Sequence, residues 1–239
     1  MKAVILVAGV SRRLAPLTLD VPKCLVPVGG RTILSRQLDA LQGLDIEEVV
    51  LIIGYRREQV REAVQSGYPD LNVQFIVNQH FFDTNTAYSL GLANEVFAGH
   101  DFLYFNGDVL FPDELLQRLV RSERANPLAV EVKLCGEEEV KVTVGADDRI
   151  TDIGKHIDPA AALGEFIGVA RFDAALTPHL AAALDRVIGE GERNAYFERA
   201  LEHLAGDQPL HALDVTDLPC IEIDFPEDLA KAEELAKSL

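Results

Sequence analysis

The chain has 239 residues, 39 of them acidic and 22 of them Lys or Arg, and its formal net charge is −17. So acidic a surface repels a nucleic acid backbone, and we expect no nucleic acid partner. No apolar run approaches the roughly 20 residues of a membrane span and nothing near Met1 is typical of a signal peptide, so we expect a cytoplasmic protein outside the membrane. Because Cys24, Cys135 and Cys220 lack metal-ligand spacing, we expect them to be reduced.

The stretch KAVILVAGVSRRLAPLTLDVPKCLVPVGG at positions 2–30 begins with the composition of a strand buried on both faces of a parallel sheet. Gly9 follows that strand and lets the backbone turn with its N–H groups uncovered, as binding of a phosphate requires. Arg12, Arg13 and Lys23 place three cations on the same loop. Ordinary solvated charges are the alternative interpretation of the two arginines. The loop therefore predicts a phosphate-rich ligand at the carboxyl end of the first strand.

Strands and helices alternate along the rest of the chain. The predicted elements are a helix capped by Thr32, strand 49–53, helix 56–65, strand 73–77, helix 86–96, strand 101–106, helix 112–121, strand 128–134, hairpin strands 141–144 and 149–153, helices 173–190 and 194–204, and a strand before a helix from Pro226. This order predicts an α/β, Rossmann-like, doubly wound sheet that is mainly parallel but mixed. No linker or repeat divides the chain, so we expect one domain over 1–239, with the hairpin in a small acceptor-binding lobe.

Polar residues follow two of the predicted strands. Asn78 carries an amide that can both donate to and accept from a base edge. Thr84 and Asn85 are suited to cap the next helix, and capping alone is the alternative to a ligand-binding role for Asn85. Asp108 follows Gly107 at the end of the fourth strand, where a carboxylate suits a divalent cation that bridges phosphates. A local hydrogen bond within a turn is the alternative role for this aspartate.

The amino-terminal stretch resembles the signature LAAGxGTRLxPLTxxxPKxLxxVxGxPxL of the sugar-phosphate and choline-phosphate nucleotidylyltransferases, which it matches with LVAGVSRRLAPLTLDVPKCLVPVGGRTIL. Ser11 and Arg12 depart from the pattern, because the family has Gly followed by Thr or Ser there. The GDV element around Asp108 and the EIDFPED element around Asp224 also resemble the family. The resemblance implies Mg²⁺-dependent transfer of a nucleotidyl group from a nucleoside triphosphate, with release of pyrophosphate.

The resemblance also implies roles for individual residues. The nucleotide would be bound by Leu6, Ala8, Gly9, Val10, Ser11, Arg12, Arg13, Lys23, Asn78, Thr84, Asn85 and Gly107. Lys23 and Arg13 would be catalytic, and Asp108 and Asp224 would hold Mg²⁺. The acceptor would be bound by Lys155, Glu165, Tyr196, Glu198 and Glu222. The alternatives are an exposed lysine without a role at position 155 and core contacts for Tyr196 and Phe197.

The segment TNTAYSL resembles TNNxYSL of the choline-phosphate branch, which favours CTP as donor and a phosphorylated small alcohol, an amino alcohol such as phosphocholine, or a phosphonate as acceptor. The chain has no Trp, which choline-specific members use around the head group, and this favours a smaller amine or another alcohol. Two alternatives stay open, a hexose 1-phosphate acceptor with UTP, dTTP or GTP, and a non-catalytic nucleotide-sensing module. The absence of GxGxxG disfavours a dinucleotide oxidoreductase, and the absence of GxxxxGK[ST] excludes a P-loop kinase. A homo-oligomer and a monomer both fit the sequence.

Overall fold

The computed structural model describes residues 1–237 and 239. Its first elements are β1 (Lys2–Val7), β2 (Pro27–Val28), β3 (Arg31–Thr32), α1 (Ile33–Gln42), β4 (Glu48–Ile53), α2 (Arg57–Gly67), β5 (Val73–Val77), α3 (Thr86–Gly91), α4 (Asn94–Phe97), β6 (Phe102–Asn106), β7 (Val109–Leu110) and α5 (Asp113–Arg121). The remaining elements are β8 (Pro127–Glu131), β9 (Lys141–Val144), β10 (Ile150–Gly154), β11 (Gly164–Phe172), α6 (Thr177–Gly189), α7 (Glu198–Leu204), β12 (His211–Asp214), β13 (Ile221–Glu222) and α8 (Pro226–Leu235).

The main sheet has the strand order β10-β9-β11-β6-β1-β4-β5, and β8 joins it between β11 and β12. Strands β6, β1, β4 and β5 are parallel, whereas β11 pairs antiparallel with β6, β8 and β9. This arrangement confirms the predicted α/β fold with a mixed sheet around a parallel centre. In the described residues, no helix has both the length and the apolar character that would let it cross a bilayer.

Strand β1 lies at the centre of two hydrophobic cores. Ala3, Ile5 and Val7 belong to the core that contains the apolar faces of α1, α2 and α5, whereas Val4 and Leu6 belong to the core that contains those of α3, α6 and α7. Side chains alternate between the faces of a strand, so a strand covered on both sides needs an unbroken apolar run. Burial of each Val, Leu or Ile contributes about 1.5–3 kcal/mol. The end of β1 is therefore a rigid base for the loop that follows it.

A third, smaller core joins the first loop to the carboxyl-terminal segment. Leu14 of the loop packs in one cluster with Ile33, Leu110 and Ile223. Strand β13 pairs antiparallel with β7, and the N–H of Ile223 donates to the carbonyl of Asp108 at 3.1 Å. These contacts place the residues after β6 and those after β13 side by side.

The capping and hairpin predictions are confirmed, whereas several boundaries were wrong. The hydroxyl of Thr32 accepts from the N–H of Ser35 and caps α1, α8 begins at Pro226, and β9 and β10 form the predicted hairpin. The differences are that predicted strand 128–134 ends at Glu131, helices 173–190 and 194–204 begin at Thr177 and Glu198, helix 86–96 divides into α3 and α4, and the strand before Pro226 ends at Glu222.

Strands β11 and β12 were not predicted. Gly168 has φ of +75° inside β11, and the register of β11 with β8 shifts between Phe166 and Ala170. A bulge of this kind interrupts the alternation by which a strand is predicted from sequence. β12 is parallel to β8, which lies far from it in the chain, so no local pattern indicates the pairing.

Candidate active site

A cleft of about 760 Å³ lies at the carboxyl ends of the parallel strands β1, β5 and β6. This is the edge where open α/β sheets bind ligands. The predicted nucleotide-binding residues that line it are Leu6, Ala8, Gly9, Ser11, Arg13, Lys23, Asn78, Thr84, Asn85 and Gly107. Within the described chain, Val10 and Arg12 are not among the lining residues, and the guanidinium of Arg12 lies 5.9 Å from the ring centroid of Phe82.

Gly107 brings Asp108 into the cleft by a close approach of two backbones. Its N–H donates to the carbonyl of Leu6 at 3.0 Å. A Cβ at this position would lie 2.4 Å from Cγ1 of Val7 and 2.5 Å from the oxygen of Leu6, so any larger residue would displace the chain. Glycine at position 107 therefore allows the backbone to pass close to β1, and this close approach determines the position of Asp108 after β6.

Lys23 is the centre of a cluster of charges drawn from both ends of the chain. Its Nζ lies 2.6 Å from Oδ2 of Asp108 and 2.8 Å from Oδ1 of Asp224. The guanidinium of Arg13 donates to Oδ2 of Asp224 at 2.7 Å and lies 5.0 Å from the ring centroid of Phe225. Burial opposes the charge of Lys23, but Asp108 and Asp224 outweigh it and raise the pKa of the ammonium above its ordinary value. Lys23 is therefore a permanent cation in the floor of the cleft.

Three carboxylates meet in the same part of the cleft. Asp108, Glu222 and Asp224 each offer an oxygen, and these oxygens all lie within 4.8 Å of one another. Oδ1 of Asp108 is buried and has no hydrogen-bond partner in the described residues. Desolvation, followed by repulsion from Asp108 and Asp224, raises the pKa of Glu222 to about 8. Crowded, hard oxygen donors with an unsatisfied buried oxygen fit a divalent cation such as Mg²⁺.

Asn78 and Asn85 order the loop on the opposite wall. The amide of Asn78 is buried and donates to the hydroxyls of Thr84 and Ser89 at 3.0 and 3.1 Å, and its oxygen accepts from the N–H of His80. The side-chain oxygen of Asn85 accepts from the N–H of Thr86 and caps α3. Both amide hydrogens of Asn78 are thus donated to hydroxyls of the loop and of α3, so its contact with a base stays a prediction.

All five predicted acceptor-binding residues line the cleft. Lys155, Glu165, Tyr196 and Glu198 mark the part called the acceptor end below, whereas Glu222 belongs to the carboxylate cluster with Asp108 and Asp224. Nζ of Lys155 lies 5.1 Å from the ring centroid of Tyr196 and 3.4 Å from Glu138. Tyr196 is 44% exposed, whereas Phe197 is fully buried against Tyr104. Tyr196 therefore lies in the cleft, whereas Phe197 makes the core contacts that were the alternative interpretation for both residues.

Glu198 is an almost completely buried carboxylate in this wall. It is 6% exposed, and its Oε2 finds no hydrogen-bond partner in the part of the chain that the structure describes. Burial raises the pKa of Glu198 to about 7, with a contribution from Asp108, while its own backbone N–H and Lys155 act in the opposite direction. Such a group gains from any ligand that supplies a hydrogen-bond donor.

Several residues that line the cleft were not predicted from the sequence. Lys133 lies 2.8 Å from Glu131 and 2.6 Å from Glu165 and joins these two carboxylates across neighbouring strands. The period-two spacing of Glu131 and Lys133 at the end of a strand was the available signal. Burial raises the pKa of the Cys24 thiol to about 12, so this lining cysteine is not a nucleophile at neutral pH.

Fold and cleft together define an α/β protein with a strongly charged cleft at the carboxyl edge of a Rossmann-like sheet, where such folds bind ligands. The profile of the family described as "Nucleotidyl transferase" matches residues 2–145. The chain belongs to this family, and it is an enzyme of the nucleotidyltransferase type.

Individual relatives agree with this assignment. The chain is 32% identical to CMP-5'-(3-aminopropyl)phosphonate synthase of Streptomyces rubellomurinus, over 98% of this chain but only 38% of that protein. It is 28% identical to choline-phosphate cytidylyltransferase of Streptococcus pneumoniae over 100% of this chain and 99% of that protein. The solved CTP:phosphocholine cytidylyltransferase of Streptococcus pneumoniae superposes with a TM-score of 0.79 at 24% identity, over 98% of both chains, which confirms the fold.

Proposed function

We propose that the protein transfers a cytidylyl group from CTP to a phosphorylated small alcohol or to a phosphonate and releases pyrophosphate. The observation that carries the proposal is the meeting of Asp108 and Asp224 at Lys23, on the floor of a cleft lined by the phosphate-binding loop. The choice of CTP rests on the two curated relatives, which are named as a CMP-phosphonate synthase and a cytidylyltransferase.

The proposed reaction is an in-line displacement. An oxygen of the acceptor's phosphate or phosphonate attacks the α-phosphorus and forms a new P–O bond. The bond from the α-phosphorus to the oxygen that bridges it to the β-phosphorus breaks, and the electron pair leaves with pyrophosphate. Such a transfer depends on positioning and charge neutralisation more than on a covalent nucleophile. The exposed N–H groups after β1 and the Arg13 guanidinium are suited to hold the triphosphate in that alignment.

Asp108 and Asp224 would hold the Mg²⁺ ion, with Glu222 beside them. When bound, a divalent ion supplies neutralisation of charge on the phosphate oxygens. Lys23 lies against both carboxylates and Arg13 lies against Asp224, so both cationic groups are suited to neutralise the charge that develops on the α-phosphate and the leaving group. The roles of Val10 and Arg12 and the single domain over 1–239 remain predictions from the sequence.

A grid of substrates tests the proposal. Pyrophosphate release is measured with Mg²⁺ for CTP, UTP, GTP and dTTP, each against phosphocholine, phosphoethanolamine, glycerol 3-phosphate, 2-aminoethylphosphonate and glucose 1-phosphate. We expect turnover with CTP and an acceptor other than the hexose phosphate. Turnover only with glucose 1-phosphate and UTP, GTP or dTTP would favour the hexose alternative. Nucleotide binding without pyrophosphate release from any pair would favour the sensing module.

A further inference from the structure

The acceptor end of the cleft is strongly acidic. The side chains that form its wall, called the acceptor wall below, are Glu131, Lys133, Glu138, Lys155, Glu165 and Glu198. Lys133 is paired with Glu131 and Glu165, and Lys155 with Glu138. These pairs leave the carboxylate of Glu198 without a hydrogen-bonded cation in the described structure. A wall with four carboxylates and two ammonium groups has an excess of negative charge and attracts a cationic group.

Glu198 is the member of the acceptor wall that lacks a partner. Glu198 is the first residue of α7 and is only 6% exposed. Its Oε2 atom has no hydrogen-bond partner in the described residues. Leaving a buried acceptor without a donor is costly, so native proteins satisfy nearly all such atoms. The charged or titratable groups that act on Glu198 are Lys155 and Asp108, and neither forms a hydrogen bond with it. A ligand with an N–H donor would satisfy this oxygen.

The aromatic content of the acceptor wall distinguishes between kinds of ammonium group. A quaternary ammonium has no N–H and is bound by the faces of several aromatic rings. Tyr196 is the exposed ring that the described structure offers beside Glu198, because Phe166 and Phe197 are buried and the chain has no Trp. Nζ of Lys155 lies over the ring of Tyr196. The wall is therefore poor in cage aromatics and rich in hydrogen-bond acceptors.

We propose that the acceptor carries a primary ammonium group at the end opposite its phosphate or phosphonate, and that the carboxylate of Glu198 accepts a hydrogen bond from it. This inference rests on the proposed function, since it names the class of acceptor for the same reaction. It assigns Glu198 as a specificity-determining residue that selects an N–H donor over a trimethylated or neutral end group.

Three acceptors of matched length test the assignment, with CTP and Mg²⁺ held constant. They are phosphoethanolamine, phosphocholine and propyl phosphate, which present a primary ammonium, a quaternary ammonium and a methyl group. We expect kcat/KM for phosphoethanolamine to exceed both others by at least tenfold. The Glu198→Gln variant is expected to lose 10- to 100-fold in kcat/KM with phosphoethanolamine, mainly through KM, and to change less than threefold with propyl phosphate.

Glu202→Gln is the matched control, because Glu202 lies on the same helix, pairs with Arg199 and is not part of the cleft lining. It is expected to leave the ranking of the acceptors unchanged. Equal or better use of phosphocholine would overturn the inference and leave the proposed function intact. An equal loss with all three acceptors in Glu198→Gln would also overturn it, since that result indicates a structural role. If no acceptor supports pyrophosphate release, the proposed function fails, and the inference fails with it.

Discussion

The ammonium of Lys23 lies 2.8 Å from Oδ1 of Asp224, which follows it by 201 positions in the chain. The same ammonium contacts Asp108, so one buried cation joins the first loop, the end of β6 and the segment after β13. Removing one partner from such a buried cluster leaves uncompensated charge, and this makes the geometry of the cluster hard to deform. The site is therefore assembled only when the two ends of the chain have packed together.

Loss of the Lys23 ammonium is expected to slow nucleotidyl transfer strongly. In Lys23→Met the cation that contacts both Asp108 and Asp224 is gone, and removal of one such stabilising group costs about 10²–10³-fold in kcat. The measurement is the single-turnover rate with saturating CTP. Lys231→Met is the control, because Lys231 also lines the cleft but is 69% exposed and pairs only at 3.4 Å with Asp228. A normal rate in Lys23→Met would remove Lys23 from the mechanism.

Ser11 occupies a backbone conformation that favours glycine. Its φ and ψ are 53° and 52°, in the left-handed region, where a side chain costs about 1–2 kcal/mol. Ser11→Gly removes that cost, but it also makes the unfolded chain more flexible, which opposes folding by about 0.5–1 kcal/mol. We therefore expect the free energy of unfolding to rise by up to about 1 kcal/mol. Ser11→Val, with a β-branched side chain, is expected to lower it and to weaken CTP binding. Urea denaturation measures the free energy of unfolding, and calorimetric titration measures CTP binding. A Ser11→Val variant more stable than the native protein would show that the backbone at position 11 is not strained.

Stability is expected to depend on pH through Glu198. Its pKa is raised from 4.5 to about 7, so the folded state binds this proton more tightly than the unfolded chain does. The stabilisation from the protonated carboxyl is complete below pH 4.5 and is lost as the pH rises through 7. The Gln side chain of Glu198→Gln is neutral at every pH. We therefore expect the free energy of unfolding of this variant, relative to that of the native protein, to be about 2 to 3 kcal/mol higher at pH 8 than at pH 5.

Urea denaturation at the two pH values, without nucleotide or divalent ions, measures this difference. Glu202→Gln on the same helix serves as the control, because Glu202 forms an ion pair with Arg199 near the surface. A gain in Glu198→Gln that is the same at both pH values would show that Glu198 is ionised throughout this range.

Lys141 is expected to stabilise the acidic loop at the acceptor end of the cleft. It is fully buried, and its Nζ donates to the carbonyls of Gly136, Glu137 and Glu139 at 3.1, 3.0 and 3.2 Å. Lys141→Met leaves these acceptors unpaired, which costs about 1–3 kcal/mol. Because the loop carries Glu138, we also expect a higher KM for the acceptor. Lys237→Met, at an exposed lysine, is the control; an unchanged urea midpoint in Lys141→Met would contradict the role.

The features predicted best from the sequence are those encoded locally, by an unbroken apolar run or by a residue that starts a helix. Strands β1 and β4 are unbroken apolar runs because both their faces are covered, and Thr32 and Pro226 mark helix starts by local chemistry. The family resemblance implied a shared Mg²⁺ site for Asp108 and Asp224 and a catalytic role for Lys23. It did not imply the direct contacts of Lys23 with both carboxylates, and spacing alone does not bring residues so distant together.

Features that depend on tertiary partners were missed. The bulge at Gly168 hides β11, and the pairing of β12 with β8 has no local signal. Lys141 and Lys133 are charged residues, and their sequence context does not reveal that Lys141 is fully buried or that Lys133 contacts Glu165. Burial of a charge is decided by what folds over it, and that information lies elsewhere in the chain.

The most direct test of the account is ³¹P NMR of CTP and phosphoethanolamine with Mg²⁺, for the native protein and for Asp108→Asn in parallel. We expect the native protein to form pyrophosphate together with a new diphosphate diester whose two phosphorus resonances are coupled, and Asp108→Asn to form both at least a hundredfold more slowly. Formation of CMP and pyrophosphate without the diester, or the same rate in Asp108→Asn as in the native protein, would contradict it.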